Sequence, residues 1–135
     1  MADPISTIRG VSKELAAKLR AEGLNDTDKL LAACRTAANR RELAAKLSVD
    51  IHTITEVANR SDLARIKGVA GVYADLLEGA GVDTVRELSR RVPDNLNTRL
   101  VEVNAANNLA KRLPTAGMVA GWVSQAKALP PALEY

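Results

Sequence analysis

The chain has 135 residues, 47% of them hydrophobic, 26% charged and 2% aromatic, with no Phe. That apolar content excludes intrinsic disorder, and no run approaches the roughly 18 apolar residues that a membrane span needs. Lys and Arg number 19 against 16 acids, a net charge of +3 that is compatible with nucleic acid without demanding it.

With 23 Ala and 17 Leu, the apolar fraction consists largely of strong helix formers, and the expectation is an all-α protein. In chain order, Ser12 is placed to cap a helix running to about Glu22, stopped by a left-handed Gly23. Asp26 opens a second helix through Leu30, Leu31, Cys34 and Ala38, and a third runs from about Arg40 to Leu47. Asp50 caps a fourth through Ile54, Val57 and Ala58, after which Ser61 and Asp62 suggest one more short turn. Gly81 ends the next helix and Asp83 caps its successor through Val85 and Leu88. Pro93 starts a longer helix through Leu96, Leu100 and Val103. Pro114 or Thr115 begins the last one, with Val119, Trp122 and Val123 on its inner face. Nine or ten short helices are expected.

The chain repeats itself. Ile8-Arg9-Gly10-Val11 returns as Ile66-Lys67-Gly68-Val69, and the offset of 58 leaves seven identities over the 23 positions from Ile8 to Leu30. Further on the offset becomes 66, pairing Leu47 with Leu113, Val57 with Val123 and Leu63 with Leu129, so the second copy carries eight extra residues between Asn97 and Leu113. A tandem duplication follows, with a first repeat over 1–63, a second over 64–129 and a Pro-containing tail over 130–135. Hairpin two has a helical segment before it; hairpin one has only eight residues. A C-terminal helix folded back on hairpin one would supply the missing partner and close the copies about a pseudo-twofold axis, within one chain or in a swapped dimer.

The segments that carry chemistry are Arg9-Gly10-Val11-Ser12-Lys13 and Lys67-Gly68-Val69-Ala70-Gly71, with Arg65 just upstream. Gly10 and Gly68 make the turn, and Val11 and Val69 plug it into the core. A helix that begins at once leaves amide N–H groups without internal partners at the positive end of its dipole. Such an end binds anions, so the amides of Ser12, Lys13, Ala70 and Gly71 are candidates to face a phosphate. These stretches, continued through Ala16 and Ala74, resemble the Gly-hydrophobic-Gly-x-x-x-Ala core of the helix-hairpin-helix of DNA repair and recombination proteins. Leu19-x-x-x-Gly23-Leu24 and Leu77-x-x-x-Gly81-Val82 resemble the helical N-terminal domain of RecA-like recombinases. The whole chain is similar to a bacterial family of tandem helix-hairpin-helix proteins of unassigned function. The resemblance implies an all-helical fold and contact with a nucleic-acid backbone, without catalysis or sequence specificity. Ser12 and Ala70 stand where that motif has its second glycine. Arg9, Lys13 and Lys18 favour hairpin one, whereas Asp75 and Glu78 oppose a phosphate at hairpin two.

Other residues read as structural. Arg40-Arg41 and Arg90-Arg91 complement helix ends or solvate a face, with Arg99, Lys111 and Arg112 adding to a distributed basic surface. Cys34 is a core residue, His52 a solvent-facing or capping one, and Trp122 a core or inter-repeat anchor. One Cys and one His cannot form a zinc site by themselves, and neither a phosphate-binding Gly-Lys loop nor a nucleophile triad appears. The expectation is therefore a non-enzyme with no metal or cofactor. Met1-Ala2-Asp3-Pro4 has neither the basic nor the apolar stretch of a secretory signal, which points to the cytoplasm. DNA or another nucleic-acid backbone is the first candidate partner. A protein partner or a second copy of the chain, met by an adaptor surface, is the competing class.

Overall fold

The structure is a computed structural model that describes residues 3–69 and 71–135. Among these residues it is all-helical, with eight α-helices, no strands and one isolated bridge between Pro4 and Asp26. The helices are α1 (Lys13–Ala21), α2 (Thr27–Ala33), α3 (Ala37–Leu47), α4 (Ile51–Leu63), α5 (Val72–Gly79), α6 (Val85–Ser89), α7 (Pro93–Asn107) and α8 (Ala116–Ala128). A 3-10 turn, Ile5–Thr7, precedes α1. No helix among the described residues is long and apolar enough to cross a membrane.

Short polar side chains start most of these helices. Ser12, Asp26 and Thr84 each accept from the amide three residues on, at Leu15, Lys29 and Glu87. Thr36 and Asn39 form a reciprocal capping box on α3, so that helix begins at Ala37 rather than near Arg40, and Ala38 belongs to it. Thr84, not Asp83, caps α6; it lies 58 residues after Asp26, as the repeat offset requires. Glycines with left-handed φ end α1 and α5. The amide pairs Gly23→Arg20 with Leu24→Leu19, and Gly81→Glu78 with Val82→Leu77, close the same Schellman motif on both helices.

Ser61 and Asp62 open no separate turn. Both lie inside α4, fully buried, and Asp62 is held by Arg65 at 2.8 Å. A paired carboxylate tolerates the helix interior where an unpaired one would start a new cap.

The chain forms two compact units, 1–65 with 131–135, and 66–130. In the first, α4 packs on α2 and α3, around a core that includes Leu19, Leu30, Cys34, Leu47 and Ile54. Backbone bonds from Ile5 to Asn25 and from Thr27 to Asp3 tie the N-terminal segment to the connection between α1 and α2. In the second unit, α8 packs on α6 and α7, and α5 packs on α7. The C-terminal helix thus belongs to the second unit. Its inner face, Val119, Trp122 and Val123, is consumed within its own unit.

The five residues after Pro130 return to the first unit instead. Leu133 is buried in its core, and the Glu134 amide donates to the Arg35 carbonyl at 2.7 Å. Arg40 is 4% exposed and donates to the carbonyls of Cys34, Arg35 and Glu134 at 2.8, 3.3 and 2.8 Å. Its guanidinium also lies 4.8 Å from the centre of the Tyr135 ring. Arg40 therefore does complement a helix end, that of α2, but as a buried clamp on the C-terminal strand of chain. Arg91 serves α5 in a similar way, donating to Ala80 O at 3.3 Å.

Candidate functional site

Both glycine turns share one backbone. The Val11 amide donates to Ile8 O and the Val69 amide to Ile66 O, each at 3.2 Å, closing a four-residue turn. The third residue of each turn, Gly10 or Gly68, has φ of +90° or +92°. A type II turn demands that sign, and a side chain there would be strained. Val69 is buried, whereas Val11 is only half-buried, so the two plugs are unequal.

Around turn one, Arg9, Gly10, Ser12 and Lys13 are all exposed and adjoin the start of α1. The Ser12 hydroxyl is occupied by the Leu15 amide. The Lys18 amine donates to Leu47 O at 3.0 Å, capping the end of α3, and so is not held for an anion at the turn. A groove of about 300 Å³ beside the turn is lined by Gly10, Ser12, Glu14, Lys18, Asp50 and Thr53 among others. A Glu56 carboxylate oxygen stands 4.0 Å from where a β-carbon on Gly10 would lie. Three carboxylates, Glu14, Asp50 and Glu56, thus surround the first turn.

Turn two has a different setting. A β-carbon on Gly68 would meet the Trp122 indole nitrogen at 3.1 Å. Gln125 grips the Lys67 peptide from both sides, accepting from its amide at 2.9 Å and donating to its carbonyl at 3.2 Å. Lys67 itself is exposed. Gly71 has φ of +52° and is the residue before α5; Ala70 lies outside the described residues. Arg65 belongs to the first unit, half-buried and paired with Asp62. The offset of 66 could have led to the Trp122 and Gln125 contacts, because it sets Trp122 over Glu56 and Gln125 over Asn59.

The longer connection of the second unit reaches its turn-following helix. Asn104 pins this connection by a reciprocal pair of bonds with Ala110, at 2.8 and 3.1 Å. The Tyr73 hydroxyl donates to Arg112 O at 3.4 Å, and the rings of Tyr73 and Trp122 lie 5.5 Å apart, tilted by 51°. Val72, Tyr73, Ala110, Lys111 and Arg112 line a groove of about 440 Å³.

Cys34 is buried, and burial pushes its thiol up to about 11 against a smaller lowering by Arg40, so at neutral pH it is no nucleophile. His52 is exposed, and its backbone amide completes the Asp50 cap. No group of three or more His, Cys, Asp or Glu among the described residues is arranged to hold a metal ion.

Residues 9–129, from the first turn to the end of α8, match the model of a domain of unknown function, DUF4332. The chain belongs to that family. The match spans both glycine turns and both units. Neither the curated proteins nor the solved structures contain a match to the chain.

Proposed function

We propose that the two units are copies of a helix-hairpin-helix repeat and that the protein is a non-catalytic, non-sequence-specific nucleic-acid-binding protein. The observation that carries this reading is the pair of exposed glycine turns at +90° and +92°, with the same hydrogen bond 58 residues apart and a helix start immediately after each. A turn of this kind brings backbone N–H groups to the surface at the positive end of a helix, where a phosphate oxygen is a suitable acceptor. The amides of Ser12 and Lys13 make no hydrogen bond within the described chain, and the exposed Lys13 and Lys67 side chains add positive charge. Contacts of this type reach phosphates and leave the base edges unread, which accounts for the lack of sequence preference.

A labelled duplex and a labelled single strand, titrated by fluorescence anisotropy across a salt series, test the reading. Binding should weaken linearly on a log–log plot, with a slope of about 0.9 per duplex phosphate contacted. Lys13→Glu and Lys67→Glu should each weaken binding and flatten the slope. Absence of binding at low salt would remove the proposal. A specific observation favours the adaptor reading as runner-up: Val92, Val101, Leu109 and Met118 of the second unit are large, apolar and exposed. Pull-down of a protein that competes with nothing at the turns would support that reading.

A further inference from the structure

We propose that the groove between the start of α5 and the 109–114 connection is a binding site for single-stranded nucleic acid, in which a base packs against Tyr73 while Lys111 and Arg112 hold the flanking phosphates. The inference rests on the nucleic-acid reading above and assigns it to one of the two units.

The connection from α3 to α4 takes only Ser48, Val49 and Asp50, whereas that from α7 to α8 runs from Asn108 to Thr115. The longer connection is where the second copy departs from the first, and it is the part that brings Lys111 and Arg112 to the groove. Both are exposed, and neither joins an ion pair among the described residues. The facing side, at the start of α5, is made by Val72 and Tyr73, and Ala110 of the connection adds apolar surface. The Tyr73 hydroxyl reaches Arg112 O at 3.4 Å across the groove, and Asn104 of α7 anchors the connection at Ala110. An open groove with an aromatic wall and a cationic rim suits a planar base with phosphates on either side; a paired duplex cannot offer an unstacked base to it. The corresponding groove of the first unit has Leu15 at the position 58 residues before Tyr73 and is lined by Glu14, Asp50 and Lys18, without an aromatic wall.

The test uses the whole chain, labelled oligo-dT, the matching duplex and an acidic peptide of oligo-Glu with one Leu. Binding is read both by anisotropy and by the emission of Trp122, the chain's only Trp, whose ring adjoins Tyr73. Oligo-dT should bind more tightly than duplex and change Trp122 emission. Lys111→Glu with Arg112→Glu should lower the single-strand salt slope by about 1.4, for two phosphates. Tyr73→Leu should weaken binding roughly tenfold through the lost stack, while Tyr73→Phe, which keeps the ring and loses only the hydroxyl contact to Arg112 O, should retain most of the affinity; circular dichroism of both variants that matches the parent shows that folding is not the cause. If oligo-dT binds with a salt slope that the double variant and Tyr73→Leu leave unchanged, or if duplex binds more tightly, the groove assignment is overturned and the nucleic-acid reading stands. If neither nucleic acid binds at low salt, both fall. Displacement of oligo-dT by the acidic peptide at equal charge would overturn the assignment in favour of an acidic protein segment.

Discussion

The two glycine turns are alike in backbone and opposite in surroundings. Each is closed by the same 3.2 Å bond, each has its glycine near +90°, and each leads into a helix that ends in the same Schellman motif. Yet Gly10 looks toward Glu56 and a groove with Glu14 and Asp50, while Gly68 looks toward Trp122 and its unit's groove presents Lys111 and Arg112. Local sequence dictates the turn, because the sign of φ and the cap depend on residues within four positions. Part of the charge near each turn comes from α4 or from the connections after α3 and α7, some 40 to 50 residues away. One turn backbone can therefore stand in two different surroundings within the same chain.

The largest effect should come from removing what binds the chain's end to the first unit. Arg40→Ala leaves three carbonyls without their charged donor, in a site with almost no access to water, and takes away a packed side chain. A loss of about 3 kcal/mol is expected. Deletion of 131–135 should cost as much through the buried Leu133 and the vacated Arg40. Hydrogen exchange should show the loss across α2, α3 and α4, while Trp122 fluorescence, which belongs to the second unit, reports an unmoved denaturant midpoint. Equal movement of both probes would break the division into two units.

That prediction marks the boundary of what the sequence makes legible. The turns, the Ser12 and Asp26 caps, the Schellman glycines, Pro93 at the first position of α7 and the core face of α8 all follow from neighbouring residues. The role of Arg40 does not, since one of its acceptors is 94 residues distant. An arginine beside another arginine on a helix reads as solvated unless the tail is known to return. Ser61 and Asp62 mislead for a related reason: they are cap formers by type, and only burial with Arg65 keeps them in mid-helix. At the candidate site, the turns are visible in sequence, whereas the meeting of Tyr73 with Lys111 and Arg112 depends on the path of the inserted connection.

Cys34 offers a second handle on the first unit alone. Its thiol stays neutral in the folded protein up to about pH 11, against an ordinary value of 9.0. Between those values the unfolded chain releases a proton that the folded chain retains, so stability should be flat below about pH 9 and fall as pH rises to 11. The drop amounts to roughly 2–3 kcal/mol. Chemical denaturation at pH 7, 9 and 10.5 should show this excess loss in the parent and not in Cys34→Ala. Equal slopes in both would mean that other groups account for the alkaline loss.

The turns can be compared directly by giving each a β-carbon. Gly10→Ala should cost about 1–2 kcal/mol from its left-handed backbone alone, because space is open to 4.0 Å. Gly68→Ala carries the same backbone cost and also presses on the Trp122 indole at 3.1 Å, so its loss should be larger and accompanied by a change in Trp122 emission. Equal melting shifts would indicate that α8 yields freely at this contact.

The smallest and most discriminating difference concerns Gln125 and the position 66 residues before it, Asn59. Gln125 holds the Lys67 peptide with two hydrogen bonds at an exposed site, a pairing that contributes about 1 kcal/mol to the rigidity of turn two. Asn59 instead accepts from the Tyr135 hydroxyl, so the residue that would steady turn one is occupied by the chain's end. Gln125→Ala should therefore speed exchange of the Val69 amide about fivefold, and Asn59→Ala should leave the Val11 amide unchanged. A turn already fixed before it meets a phosphate loses less freedom on binding. On the nucleic-acid reading, the second turn then has one advantage over the first, prior rigidity. Acceleration of Val11 by Asn59→Ala would show that the chain's end steadies turn one through the same position, and would remove that difference between the turns.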